Sequence, residues 1–177
     1  MAARTLDRCG MACIIDLGEA EDIHPVRKRE VGERLARLAL ANDYGRKLVA
    51  DGPRMASYRI VGSSVAVRFT DVAGGLRVLP SGSFAKERYG TVNERVEKAE
   101  SGVLTGFQIA GPDRVWHWAE ARIEGDSVVV WSEEVPQPLA VRYAWSENPV
   151  CNLYNSEGLP AWPFRTDDWP GVTYGNL

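Results

Sequence analysis

A change of hydrophobic period near residue 50 constrains this chain more than any other feature. Before it, Val31, Leu35, Leu38 and Ala39 recur at three- and four-residue spacing, the apolar stripe of an amphipathic helix. Beyond it, Val65, Val67 and Phe69 alternate with Ala66, Arg68 and Thr70, the pattern of a half-buried strand. The two stretches demand different architectures in sequence order.

In the first stretch, the short apolar run 11–15, with Ile14 and Ile15, reads as the end of a buried strand. The helix is expected from about residue 25 to 44, with Pro25 in its first turn and Gly45 just past its end. Strand, loop and helix make one unit of an α/β sheet, and ligands of such sheets bind at the carboxyl ends of strands, so chemistry is expected on the loop 16–24. One strand and one helix cannot bury both faces of a sheet, so a further segment is expected to complete this part, in the same chain or another.

The second stretch reads as strands over 57–61, 65–70, 76–79, 103–110, 115–123, 128–131 and 139–145. Turn residues separate most of them, among them Gly62-Ser63, Gly74-Gly75, Gly111-Pro112-Asp113 and Gly125-Asp126. Short strands punctuated in this way predict a mostly antiparallel β-sandwich. Residues 80–102 break the rhythm and read as a solvated insertion with a short helix around 93–100. The fold expectation is therefore an α/β fragment over 1–46 followed by a β-sandwich over 47–177.

Composition removes some function classes. The net charge of −3 comes from interspersed acids and bases, so no basic face suggests nucleic acid. No run of about 18 apolar residues predicts a membrane span, and residues 1–8 lack the apolar core of a signal peptide. Cys9, Cys13 and Cys151 do not have zinc-knuckle spacing and read as packing thiols; no metal is expected. All six tryptophans lie between Trp116 and Trp169, as a sugar-stacking platform or, more commonly, as sandwich core.

The histidine in a site-like context is His24, within Glu21-Asp22-Ile23-His24-Pro25 at the head of the helix. A serine hydrolase needs an imidazole base and a carboxylate that fixes its tautomer, and Asp22 with His24 have the right types. A helix-capping aspartate beside an exposed histidine explains the same residues. His117, between Trp116 and Trp118, is expected to point outward while the tryptophans pack inward. Asn148, Asn152 and Asn155 either reach a ligand or satisfy loop backbone. Arg165, Asp167 and Asp168 are expected to pin the C-terminal segment against another domain, with Trp162, Phe164 and Trp169 as the apolar side of that docking.

Asp16-Leu17-Gly18, Asp22-Ile23-His24-Pro25, the helix from Val31 to Ala41 and Tyr44-Gly45 together resemble the last catalytic block and final helix of sialate O-acetylesterases, in the SGNH/GDSL hydrolase superfamily. Downstream, the run from Ala140 to Pro149, then Asn152 to Asn155, Gly158 to Pro160 and Pro163 to Trp169, is similar to that family's C-terminal signature. The resemblance implies the end of a flavodoxin-like α/β/α hydrolase domain followed by a jelly-roll-like domain. It implies hydrolysis of O-acetyl esters on sialic acid or related sugars through an acetyl-serine, with no cofactor. His24 would take the serine proton and return it to the sugar hydroxyl, and a periplasmic or secreted setting is implied.

Two departures matter. The superfamily usually places its acid three residues before the histidine, where Glu21 stands, whereas Asp22 lies two before. Asp22 is preferred because the Asp-Ile-His-Pro run matches the sialate branch, with Glu21 the alternative. The Gly-Gln-Ser-Asn nucleophile block does not occur, and Ser63 and Ser83 lack a strand-to-helix setting. The partner expected from the resemblance is thus the segment carrying that serine. The rival reading is a non-catalytic carbohydrate-binding or structural β-sandwich module.

Overall fold

The computed structural model describes residues 9–19, 22–80, 98–171 and 174. Glu21, Ser83 and most of the expected 93–100 helix lie outside them.

Among the described residues, helix α1 (Lys28–Asn42) precedes ten strands: β1 (Arg54–Val61), β2 (Ser64–Thr70), β3 (Leu76–Val78), β4 (Phe107–Ala110), β5 (Trp116–Trp118), β6 (Glu120–Glu124), β7 (Ser127–Trp131), β8 (Ala140–Tyr143), β9 (Leu153–Asn155) and β10 (Phe164–Arg165). Two four-stranded sheets, ordered β1-β2-β7-β6 and β10-β8-β4-β5, and a two-stranded sheet β3-β9 are antiparallel throughout. The domain is β-rich, as the alternating period requires.

Alternation decides what meets between the large sheets. Val65, Val67, Phe69, Val128 and Val130 from one face Phe107, Ile109, Val141, Tyr143 and Phe164 from the other, and all are buried. Phe107 lies against Tyr143 with ring centroids 4.6 Å apart, and Phe69 meets Phe164 edge-on at 5.8 Å. Phenylalanine and tyrosine supply the aromatics between the sheets, and of the six tryptophans only Trp162 is buried, so the tryptophan core expected does not form. Tryptophan keeps its indole near polar partners, and here it does so beside arginine: Arg142 lies 4.0 Å from the Trp116 ring and Arg54 lies 4.2 Å from that of Trp162.

The expected 115–123 strand is two. Trp116–Trp118 pairs with β4 in one sheet and Glu120–Glu124 with β7 in the other, with Ala119 donating to the Phe107 carbonyl at the crossing. A strand that switches sheets makes such a sandwich corner. The expected 103–110 strand begins only at Phe107. Gly106 has φ +97°, and a Cβ there would stand 2.8 Å from that of Cys151, so glycine alone fits the bend.

The N-terminal stretch differs more. No strand forms over 11–15: the Cys13 carbonyl accepts from Arg34 and the Ile14 carbonyl from the Leu17 N–H, so the run turns instead of joining a ladder. Helix α1 starts three residues beyond Pro25, because carboxylates of Glu19 and Asp22 hold the N–H groups of Val26 and His24 in a non-helical path. Gly45 (φ +62°) follows its end, and the Arg46 N–H folds back to the Leu40 carbonyl. No residue of α1 is buried.

Candidate functional site

Ahead of α1, residues 16–19 are fixed and residues 22–24 are open. At the start, Arg34 of α1 grips both Asp16 oxygens at 2.6 and 2.8 Å, and the Tyr154 hydroxyl donates to Asp16 at 3.2 Å. The pair is nearly dry, with side chains 11% and 8% exposed. Burial disfavours the Arg34 cation, but its hydrogen bond and proximity to Asp16 outweigh that and push its pKa above the ordinary value. Burial, reinforced by the Asp16 charge, likewise raises Tyr154. Asp16, Arg34 and Tyr154 thus tie loop, helix and sandwich together.

At the open end, Asp22 and His24 are both exposed. The Asp22 Oδ1 accepts the His24 backbone N–H at 2.8 Å, which shapes the loop without engaging the imidazole. The described clefts are lined by other residues. One of about 510 Å³ lies where α1 meets the sandwich, beside Leu38, Asn42, Asp51, Arg54, Asp71 and Trp162. Among the described residues, no group of three or more metal-binding side chains comes together, and no helix is long and apolar enough to cross a membrane.

The asparagines separate. Asn152 and Asn155 are fully buried. The Asn152 amide accepts from the Thr105 N–H and donates to the Val103 carbonyl, each at 2.8 Å. The Asn155 amide donates to the carbonyls of Asp51 and Asp71 and accepts from the N–H groups of Glu157 and Leu159. In this arrangement both serve the loop backbone and neither meets an open surface. Asn148 is exposed.

His117 reverses the expected facing. It lies beside core residue Ile109 and pairs with Glu134 at 3.0 Å, while Trp118 is 45% exposed, because β5 is an edge strand whose inner side is reached by the 132–135 loop. Cys13 and Cys151 are buried, their thiols pushed up to about 11 and about 12 by desolvation, whereas Cys9 is exposed at the rim of the cleft beside α1.

The C-terminal segment is pinned to its own sandwich and not to another domain, through Arg165 and Asp167, while Asp168 is exposed and takes no part. Asp167, its side chain 1% exposed, accepts from Arg142 at 2.7 Å and Arg165 at 2.6 Å. Burial pushes its carboxyl up, but the hydrogen bond and charge of Arg142, with the charge of Arg165, hold it below the usual range. The residues that bind the N-terminal stretch to the sandwich, Tyr154 and Glu157, carried no sequence signal for it, since their partners are more than a hundred positions away.

No protein-family model and no curated protein matches the sequence. Among solved structures, the chain is similar to a carbohydrate acetylesterase from Xanthomonas citri, with 41% identity over 89% of this chain and a TM-score of 0.74. This chain spans 32% of that protein's length.

Proposed function

We propose that this chain is the base-bearing part of a carbohydrate acetylesterase of sialate O-acetylesterase type, in the SGNH superfamily. The observation that carries the reading is the likeness to the Xanthomonas citri carbohydrate acetylesterase at 41% identity across nearly the whole chain. His24, exposed on the loop before α1, is the general base and then the acid toward the leaving sugar hydroxyl. Asp22 orients it: its Oδ1 holds the His24 N–H and its Oδ2 remains for the imidazole, with Glu21 the alternative acid. The serine and its oxyanion donors come from a segment joined to this one or supplied by another chain. O-acetylated sialic acid is the favoured substrate within the acetylated sugars, and a periplasmic or secreted setting goes with it.

The open apolar surface of the first region supports this division. Ile23, Val26, Leu35 and Leu40 are all exposed, as residues awaiting another layer would be. A second reading, a glycan-binding module without catalysis, draws on Trp118 and Trp145, 45% and 44% exposed on the sandwich.

The test is hydrolysis of p-nitrophenyl acetate by the chain alone and by the chain joined to a serine-bearing segment, each with and without His24→Ala. Activity only in the joined form, lost by about a thousandfold or more in His24→Ala, is expected. Joined activity that survives His24→Ala removes His24 from the mechanism, and a joined form that binds sugars without cleaving esters favours the module.

A further inference from the structure

We propose that the outer face of the β1-β2-β7-β6 sheet is a binding trough for a carboxylated sugar, with Arg59 and Arg68 as its anion fork. This deepens the carbohydrate esterase reading and rests on it for the sugar.

The register builds the trough. With Val65, Val67 and Phe69 turned into the core, Ala66 and Arg68 face outward. Pairing then sets Ser57, Arg68, Ser127 and Glu124 in one row across the four strands, and Arg59, Ala66, Val129 and Arg122 in the next. Small side chains form the floor, arginines one wall and Glu124 the other, around a depression of about 340 Å³. That is the lower end of the size range for small-molecule sites, suited to one or two sugar rings.

The electrostatics are unbalanced. Arg59 and Arg68 are diagonal neighbours, roughly 7–8 Å apart at the backbone, and like charges so placed repel. Neither makes an ion pair or a side-chain hydrogen bond among the described residues, unlike Arg54, Arg122, Arg142 and Arg165, each of which holds a carboxylate. Two free guanidinium forks on one small surface match the two oxygens of a carboxylate. The far wall narrows the choice of anion. Glu124 uses Oε1 to accept from Arg122 at 2.7 Å, which leaves Oε2 to accept a sugar hydroxyl. An extended polyphosphate would be repelled there, whereas a uronic-acid unit places its carboxylate and its hydroxyls on opposite sides of the ring. Ser127 lies on the floor between Arg68 and Glu124, and Ser57 flanks Arg68 on its other side.

Calorimetric titration of the whole chain with trigalacturonate, neutral galactotriose and inorganic sulfate tests this. Trigalacturonate is expected to bind at least about tenfold more tightly than either comparison, and Arg59→Gln and Arg68→Gln each to weaken it by about tenfold or more. Arg68→Lys, which keeps the charge but loses the fork, is expected to fall between. Both arginines are exposed, so melting temperatures are expected to stay within about 2 °C of the parent. No binding of trigalacturonate, equal binding of galactotriose or sulfate, or indifference to both glutamine variants overturns the proposal. Because the readout is binding without ester cleavage, failure here leaves the esterase reading standing, and an inactive joined enzyme does not touch this result.

Discussion

Residues 9–50 and 51–171 of this protein are held in place by opposite means. The sandwich closes around its own core, where Phe107, Tyr143, Phe164 and Phe69 fill the space between two sheets, and no buried side-chain polar atom among the described residues lacks a partner. In the helix region Cys13 and Leu17 are buried and Ile15 packs against the sandwich core, but α1 itself has no buried residue. The region is attached by Arg34 to Asp16, by Arg37 to the Val49 carbonyl and Glu157, and by Tyr154 to Asp16, while Leu35 and Leu40 stay exposed. Those exposed leucines are the observation behind the further layer proposed for this region. The loop with His24 lies in that region, so the chemistry proposed for this chain sits on the side with the open apolar surface.

The sharpest way to break this contrast is to damage each side separately. Phe107→Ala should destabilise the whole protein by about 3–5 kcal/mol in urea unfolding, since a large core ring is lost between sheets that cannot collapse onto the void. A loss below about 1 kcal/mol would mean that the sandwich is not the cooperative unit. Asp16→Ala strips the buried Arg34 of its partner and should cost about 3 kcal/mol, read as faster amide hydrogen exchange in α1 while β2, β7 and β8 stay protected. Equal exposure of helix and strands would merge the two regions into one.

Two smaller effects sharpen the picture. Asp167→Asn should cost about 1.5–3 kcal/mol at neutral pH through its charged hydrogen bonds to Arg142 and Arg165. The native carboxyl is held below its ordinary value, so this stability is present above about pH 4 and lost as the pH falls through the depressed native value. Parent and variant should therefore converge in acid, and a gap that persists there would point to packing. The smallest effect is Leu35→Ser, expected within about 0.5 kcal/mol of the parent in the chain alone, yet weakening assembly with a serine-bearing segment by about tenfold or more.

The sandwich was the more legible half because its alternation is local. Val65 to Phe69 and the turn at Gly62-Ser63 locate a hairpin without knowledge of the rest of the chain. Legibility failed where a tertiary partner decides. Strand β9 follows Asn152 and ends at Asn155, residues that read as loop until the backbone carbonyls of Val103, Asp51 and Asp71 claim their amides. The 115–123 run looks continuous, but Ala119 is a corner between sheets. Residues 11–15 look like a strand because they are apolar, and the Arg34 clamp that turns them comes from 21 residues away. At the candidate site, His24 and Asp22 could be named from the sequence, but the bond between them could not: the carboxylate meets the histidine's backbone and not its ring.

Acetate release from an O-acetylated sialic acid by the chain joined to a serine-bearing segment, with the chain alone and His24→Ala alongside, tests the central claim most directly. Release by the joined protein only, abolished by His24→Ala, is the expected result. Release by the chain alone, or by the joined His24→Ala protein at the parent's rate, would contradict it.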